Sequence, residues 1–242
     1  MTHSLPDYTT KYKLTSLFAS IDNAELAVRL KSIHSHDRRG SVLWMDDFEG
    51  SVLRWEPTCS GAGSGVALST TYQRSGIQSA ACTTGPGGSD YAGLRRSLTY
   101  PTLSPLGFEI SFKPTTLIDY YLMTAIVHTG SIYYYSAIML DVTNDALKYL
   151  TTGGAYTQFS ADCPLALISN LFMTIKLVID PVTGYYKRFM LNNVTHDLSA
   201  NAIRTVASAT DPYYYFQFQC INSSASSRVM YVDDAIMTID EP

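Results

Sequence analysis

The sequence predicts an all-β protein: a two-sheet antiparallel sandwich preceded by an N-terminal arm that contains a short helix. Three observations carry this. From Ser41 onward the chain reads as about a dozen short strand-like runs at regular intervals. Turn chemistry separates them, as in Gly61-Ala-Gly-Ser-Gly65, Arg74-Ser-Gly76, Gly85-Pro-Gly-Gly-Ser89 and Asp180-Pro-Val-Thr-Gly184. Several runs alternate with period two. In Phe172–Asp180 this places Phe172, Thr174, Lys176 and Val178 on one face and Met173, Ile175, Leu177 and Ile179 on the other. Finally, two apolar runs broken by an Asp pair, Leu43-Trp-Met-Asp-Asp-Phe-Glu-Gly50 and Met230-Tyr-Val-Asp-Asp-Ala-Ile-Met-Thr238, stand at opposite ends of this region. They read as the opening and closing strands, paired with each other.

Composition narrows the function classes. A length of 242 residues suits one all-β domain with an appendage, and 46% hydrophobic residues suffice for a core. Only 16% of residues are charged, which is compatible with a subunit that hides much of its surface. A net charge of -4 leaves no basic footprint, so nucleic acid is not an expected partner. There is no run of about 20 apolar residues, so no membrane span is expected. The first residues, Met1-Thr-His-Ser-Leu-Pro-Asp7, have neither a basic nor an apolar segment. No secretion signal is therefore expected, and the location would be a virion or a cytoplasmic assembly. Cys59, Cys82, Cys163 and Cys220 lie far apart with no Cys-x-x-Cys pair, which argues against zinc. They read as buried free thiols, with a Cys59–Cys82 bridge as the alternative.

In chain order, residues 1–40 form the arm. Its helix is expected over about 16–32, with Leu17, Ile21, Leu26 and Leu30 as apolar anchors, Asp22 and Glu25 early, and Arg29 and Lys31 late, as the helix dipole favours. Residues 33–40 are a polar connector. Strands are expected over 41–48, 66–72, 78–83, 108–113, 121–128, 133–142, 146–151, 155–159, 172–180, 185–191, 213–221 and 229–239. The runs 121–128 and 133–142 have the apolar richness of central strands. In Phe108-Glu-Ile-Ser-Phe-Lys113 one face is expected to be buried and the other wet. There is no internal repeat, so 41–242 is read as one sandwich domain.

Five places in this order resemble a concanavalin A-like, laminin G-type jelly roll: Asp46-Asp-Phe-Glu-Gly50 with Trp55, Ser75-Gly-Ile-Gln-Ser79, Phe108-Glu-Ile-Ser-Phe112, the hairpin Phe172–Gly184, and Tyr231-Val-Asp-Asp234. The resemblance implies a jelly-roll fold. Lectins, carbohydrate-binding modules, glycan hydrolases and lyases, and virion proteins share that fold, so it does not fix function. The arm and the segment Arg38-Arg-Gly-Ser-Val-Leu-Trp-Met-Asp-Asp-Phe-Glu49 are also similar to structural proteins of tailed-phage-like particles.

Three sets of candidate residues follow. Asp46, Asp47, Glu49, Asp233 and Asp234 converge if the end strands pair; as hard oxygens they suit a structural Ca²⁺, or else they accept turn hydrogen bonds. Eighteen tyrosines occur, several in runs. In Tyr133, Tyr134, Tyr135 and in Tyr213, Tyr214, Tyr215 the middle residue points opposite to its neighbours, so each run supplies aromatics to both faces of a sheet. The outward ones would serve a protein interface, a plain surface or a sugar platform. Catalytic patterns are incomplete: the acids of Asp46-Asp-Phe-Glu49 lack the third carboxylate of a hydrolase strand. A lyase of this fold would use an Arg-rich strand, a Gln-Ile-His strand and a Tyr-rich strand. Leu94-Arg-Arg-Ser97, Ala125-Ile-Val-His-Thr129 and Gly184-Tyr-Tyr-Lys-Arg-Phe189 echo these only in part. The expectation is therefore a non-enzymatic structural subunit or decoration protein of a virion or phage-like particle, assembling as a homo-oligomer or with other particle subunits. The alternative is a carbohydrate-binding module, with a polysaccharide lyase third.

Overall fold

Strand-forming sequence in this chain sorts its side chains by parity. The computed structural model, which describes residues 37, 39–99, 103–116, 118–165, 171–222 and 224–242, turns that parity into two packed sheets. Its strands are β1 Ser41–Asp46, β2 Glu56–Ser60, β3 Gly65–Ser69, β4 Ser79–Thr83, β5 Asp90–Thr99, β6 Leu106–Pro114, β7 Tyr120–His128, β8 Ile132–Asp141, β9 Ala146–Leu150, β10 Tyr156–Ser160, β11 Met173–Asp180, β12 Tyr185–Leu191, β13 Val194–Asp197, β14 Arg204–Ala207, β15 Tyr213–Asn222 and β16 Val229–Ile239. The expected helix at 16–32 and its anchors Leu17, Ile21, Leu26 and Leu30 lie outside the described residues. Among the described residues no helix is long and apolar enough to cross a membrane.

The back sheet has the order β13-β12-β11-β6-β16-β4-β3, with β1 also on β16; the front sheet has the order β10-β9-β8-β7-β15-β5-β2, with β14 also on β8. All pairings are antiparallel. The end strands do pair, with Asp46 opposite Ala235. The strands expected to be central, β7 and β8, are interior to the front sheet. The expected hairpin at Asp180–Gly184 is β11–β12: Asp180 accepts from the amides of Val182 and Thr183, and Gly184 takes φ +78°.

Inward side chains from the two sheets meet in one aromatic core. Phe108 of the back sheet stacks on Phe216 of the front sheet at 5.1 Å, and Phe112 meets Tyr121 and Phe218 at 5.0 Å each. Trp55 packs between Trp44, Phe48 and Phe216, and its indole N–H donates to Asp46 at 3.2 Å. This explains why Asp46-Asp-Phe-Glu-Gly50 and Trp55 belong together: they close one end of the core.

One expectation needs correction. The second face of Phe108–Lys113 is not wet, because every residue of β6 is buried, including Glu109, Ser111 and Lys113. Asp37, Glu241 and the loop that carries Tyr72 and Arg74 cover that face. Lys176 Nζ lies 3.2 Å from Asp37 and 2.6 Å from Glu241, and Arg188 contacts the same two carboxylates. Further along, Arg74 donates to Ser111 at 2.6 Å, and Lys113 sits 3.8 Å from the Tyr72 ring centroid.

Candidate functional site

The outer face of the front sheet carries the densest set of ligand-type side chains. Its layout follows from β15, Tyr-Tyr-Tyr-Phe-Gln-Phe-Gln-Cys-Ile-Asn. Period two sends Tyr214, Phe216, Phe218 and Cys220 into the core and leaves Tyr213, Tyr215, Gln217 and Gln219 on the outside. On β7 the same rule exposes the Leu122, Thr124, Ile126 and His128 side to this face, and on β8 it exposes Tyr133 and Tyr135. The two tyrosine runs therefore split as the sequence implied. Tyr133, Tyr135, Tyr213 and Tyr215 share the outer face, whereas Tyr214 is 1% exposed and Tyr134 packs against the core.

Register arranges these residues in rows. Thr99, Tyr213, His128, Tyr133 and Val206 form one row; Ser97, Tyr215, Ile126, Tyr135 and Arg204 the next; Glu56, Arg95, Gln217, Thr124 and Ala137 a third. Neighbouring strands lie ~4.8 Å apart, so Tyr215 and Tyr135 rise ~10 Å apart with Ile126 between them. Ile126 and Thr124 point outward yet are only 7% and 5% exposed, which makes them the floor of a groove walled by tyrosines. Tyr213 stacks on Tyr215 at 6.2 Å, and the Arg95 guanidinium lies 5.6 Å from the Tyr215 ring centroid. Arg95 also donates to Glu56 at 2.8 and 2.5 Å. Gly93 lets β15 approach: a Cβ there would come within 2.4 Å of the Gln219 side chain. Gln219 pairs with the Gln217 amide, leaving amide groups beside the aromatic rings.

His128 closes one end of the groove. Its ring stacks on Tyr213 at 4.5 Å and leans on Tyr133 at 5.2 Å. It is 9% exposed, and its Nδ1 has no hydrogen-bond partner among the described residues. Burial lowers its pKa, so the ring is neutral near pH 7. Burial pushes the Tyr215 phenol up to about 12, opposed by Arg95, and also raises Tyr156 at the far side of the sheet. All these groups stay neutral hydrogen-bonding groups at physiological pH.

A wedge from the other sheet shapes the opposite wall. β8 shares one edge between two strands: residues 138–141 pair with β9 and residues 132–135 with β14. At the junction Tyr186 crosses the core. Its phenol oxygen accepts from the Ala137 N–H at 3.0 Å and donates to the Leu150 carbonyl at 3.0 Å. The edge is thereby satisfied without a strand, and β14 enters beside Tyr135 carrying Arg204.

The acidic set behaves differently. Asp46 and Asp47 accept from the amides of Phe48 and Glu49, Glu49 accepts from Ile77 and Gln78, and Asp233 accepts from Arg74, Ser75 and Asp234. Asp234 accepts from the Ser75 hydroxyl and lies 3.4 Å from Arg74. Each of these acids thus accepts hydrogen bonds from neighbouring backbone or side-chain groups, and among the described residues no group of three or more His, Cys, Asp or Glu is placed to hold a metal ion. The four cysteines are free thiols, Cys59 included. Cys59 and Cys220 flank Ala92 on either side, two strand spacings or ~10 Å apart, beyond disulfide reach. Of the lyase echoes, Leu94-Arg-Arg-Ser97 and Ala125-Ile-Val-His-Thr129 lie on the front sheet, while Gly184–Phe189 lies on the back sheet with Tyr186 in the core. Sequence reading missed the strands that carry Glu56, Arg95 and Arg204. Arg95 and Arg204 had one signal, a charge standing in a short alternating run.

No family model and no curated protein matches this chain. Solved structures do. The endo-β-1,4-glucuronan lyase of the fungus Trichoderma reesei matches with a TM-score of 0.58 at 10% identity, covering 82% of this chain and 96% of the lyase. A Bacillus subtilis protein of unknown function with a galectin-like fold matches with a TM-score of 0.50 at 10% identity, covering 83% and 97%. At such identities the likeness shows the fold alone, a two-sheet antiparallel sandwich like that of the galectin-like neighbour. It also corrects two expectations. A non-enzymatic virion or decoration subunit has no support in these matches. The exclusion of an enzyme fails as well, because nearly the whole length of a lyase superimposes on this sandwich.

Proposed function

We propose that this protein binds glycans along the outer face of its front sheet. One observation carries the reading: Tyr133, Tyr135, Tyr213 and Tyr215 converge by register on one groove, interleaved with Thr124, Gln217, Gln219 and Arg95. Sugars present apolar C–H faces and a rim of hydroxyls. Tyrosine rings cover the first, and the amide, hydroxyl and guanidinium groups pair the second. The jelly-roll neighbours, one of which acts on a glucuronan, agree with this. The test is a screen of soluble oligosaccharides by calorimetry, using the wild-type protein and Tyr215→Ala. Binding that weakens at least about tenfold in the variant supports the groove. Binding to no glycan, or binding that ignores Tyr215 and Tyr135, overturns it.

His128 supports a second reading, lyase activity on a uronate-containing polymer. In β-elimination a base removes the proton at C5, the C4–O glycosidic bond breaks, a C4=C5 double bond forms, and the departing oxygen takes a proton. A neutral, buried imidazole with a free nitrogen beside two phenols has the acid and base groups for this. Appearance of unsaturated ends with wild type, and their loss with His128→Ala while glycan binding persists, supports it. No ultraviolet-absorbing product from any uronate polymer leaves binding alone.

A further inference from the structure

The groove has a charge left over. Among the described residues three side-chain cations, Arg95, Lys148 and Arg204, stand on this face beside the tyrosines. Arg95 is paired with Glu56, and Lys148 lies 2.5 Å from Asp141. Arg204 has neither a carboxylate nor a hydrogen-bond acceptor among the described residues. Its place is nonetheless defined. Strand β14 sets it opposite Tyr135, in the row that runs through Ile126 to Tyr215. Its guanidinium lies beside Gly154 of the β9–β10 turn, where a Cβ would meet Nη1 at 3.0 Å and Cζ at 3.4 Å. Gly154 has φ +84°, a conformation that suits glycine, so the turn leaves room for that contact. The charge is close enough to oppose the effect of burial on the Tyr135 phenol.

A half-buried guanidinium held by packing but given no counter-charge has its planar fork of N–H donors available to a ligand. We propose that Arg204 is an oxyanion subsite of the groove, taking a carboxylate or sulfate substituent of a sugar seated over Ile126 between Tyr215 and Tyr135. The preferred ligand class is then an acidic glycan, and Arg204 is its specificity-determining residue. This rests on the glycan-binding reading and adds the class of glycan to it.

The experiment compares three β-1,4-linked oligosaccharides of equal length by calorimetry: a neutral glucose oligomer, a glucuronate oligomer and a sulfated glucose oligomer. The proteins are wild type, Arg204→Gln, Arg204→Lys and Tyr215→Ala, each checked for native near-ultraviolet dichroism. Wild type should prefer an acidic ligand by about tenfold or more, the size of a charge-assisted hydrogen bond pair. Arg204→Gln should erase that preference and leave the neutral affinity unchanged. Arg204→Lys keeps the charge but loses the fork, so it should retain more of a sulfate preference than of a carboxylate preference; whichever acidic arm wild type favours identifies the oxyanion. If wild type binds neutral and acidic ligands alike, or Arg204→Gln keeps the preference, while Tyr215→Ala still abolishes binding, the Arg204 subsite is wrong and the groove stands. If wild type binds none of the three and no other glycan, both fall together.

Discussion

The two outer faces of this sandwich are built from the same strand grammar and do opposite work. On the back sheet, Lys176, Arg188, Glu109 and Ser111 alternate with core residues as an exposed strand would, yet all are buried. Asp37, Glu241 and the Arg74 loop close over them and satisfy their charges. Burial alone would raise the Asp37 carboxyl, but Arg39 and Lys176 outweigh it and hold the group well below the usual carboxylate range. On the front sheet the outward side chains are aromatic or neutral polar, and no described segment pairs them all. Arg204 and His128 are left with groups to offer. A polar face whose charges are covered by opposite charges fastens the fold; one with cations and ring nitrogens left over is available to a ligand.

The comparison can be broken most sharply at Arg188. Arg188→Ala removes one of the two buried cations that Asp37 and Glu241 share, leaving Lys176 on both, and should cost on the order of 3 kcal/mol in urea unfolding, the low end for breaking a buried pair, while glycan affinity of the folded protein stays the same. An unchanged urea midpoint would show that the closed face is not structural.

The next effect is a pH dependence on the same sheet. Burial, reinforced by Asp234, pushes the Asp233 carboxyl up to about 7. In the unfolded chain it titrates near ~3.9. Its contribution to stability is therefore fully present below about pH 4 and is lost as pH rises through 7, a decline on the order of 2–4 kcal/mol. Asp233→Asn should flatten that decline in denaturation curves taken across this range. A slope identical to wild type would place the titrating group elsewhere.

On the front face the expected effects are on affinity. Tyr135→Ala should weaken binding of an acidic oligosaccharide about tenfold, roughly 1.4 kcal/mol, with less change in unfolding free energy than Arg188→Ala produces. The reverse ranking would make this face structural too. The smallest effect concerns the thiols. Burial raises the pKa of Cys82, and pushes Cys163 and Cys220 up to about 12, so they are unreactive thiols in the native state. Reductant should leave Tm unchanged, and a thiol reagent should label these three only after unfolding; a shift in Tm on reduction would reveal a disulfide.

Much of this was legible before the structure. Period two in Tyr213–Ile221 and Tyr133–Val142 gave both the strands and the split of each tyrosine run, because a strand offers only two directions for a side chain. The Asp-Asp runs marked the paired end strands, since a sandwich of this kind brings its first and last strands together. The strands β2, β5, β13 and β14 were less visible. They are short, charged or interrupted, as in Leu94-Arg-Arg-Ser97, and are fixed by ladder bonds rather than by their own pattern: β2 to β5, β5 to β15, β13 to β12 and β14 to β8.

What the sequence determined by itself was local: strand parity, turns and an aromatic core. What only the tertiary structure decided was which polar face is shut and which is open. Lys176 and Tyr215 obey the same alternation, and nothing in either strand says whether a distant carboxylate such as Asp37 or Glu241 will arrive to cover it. Pairing across the sheet and over it is a long-range event, set by chain topology. The groove is likewise a product of register, since Arg204, Tyr135, Ile126 and Tyr215 share a row only because four strands meet in that order.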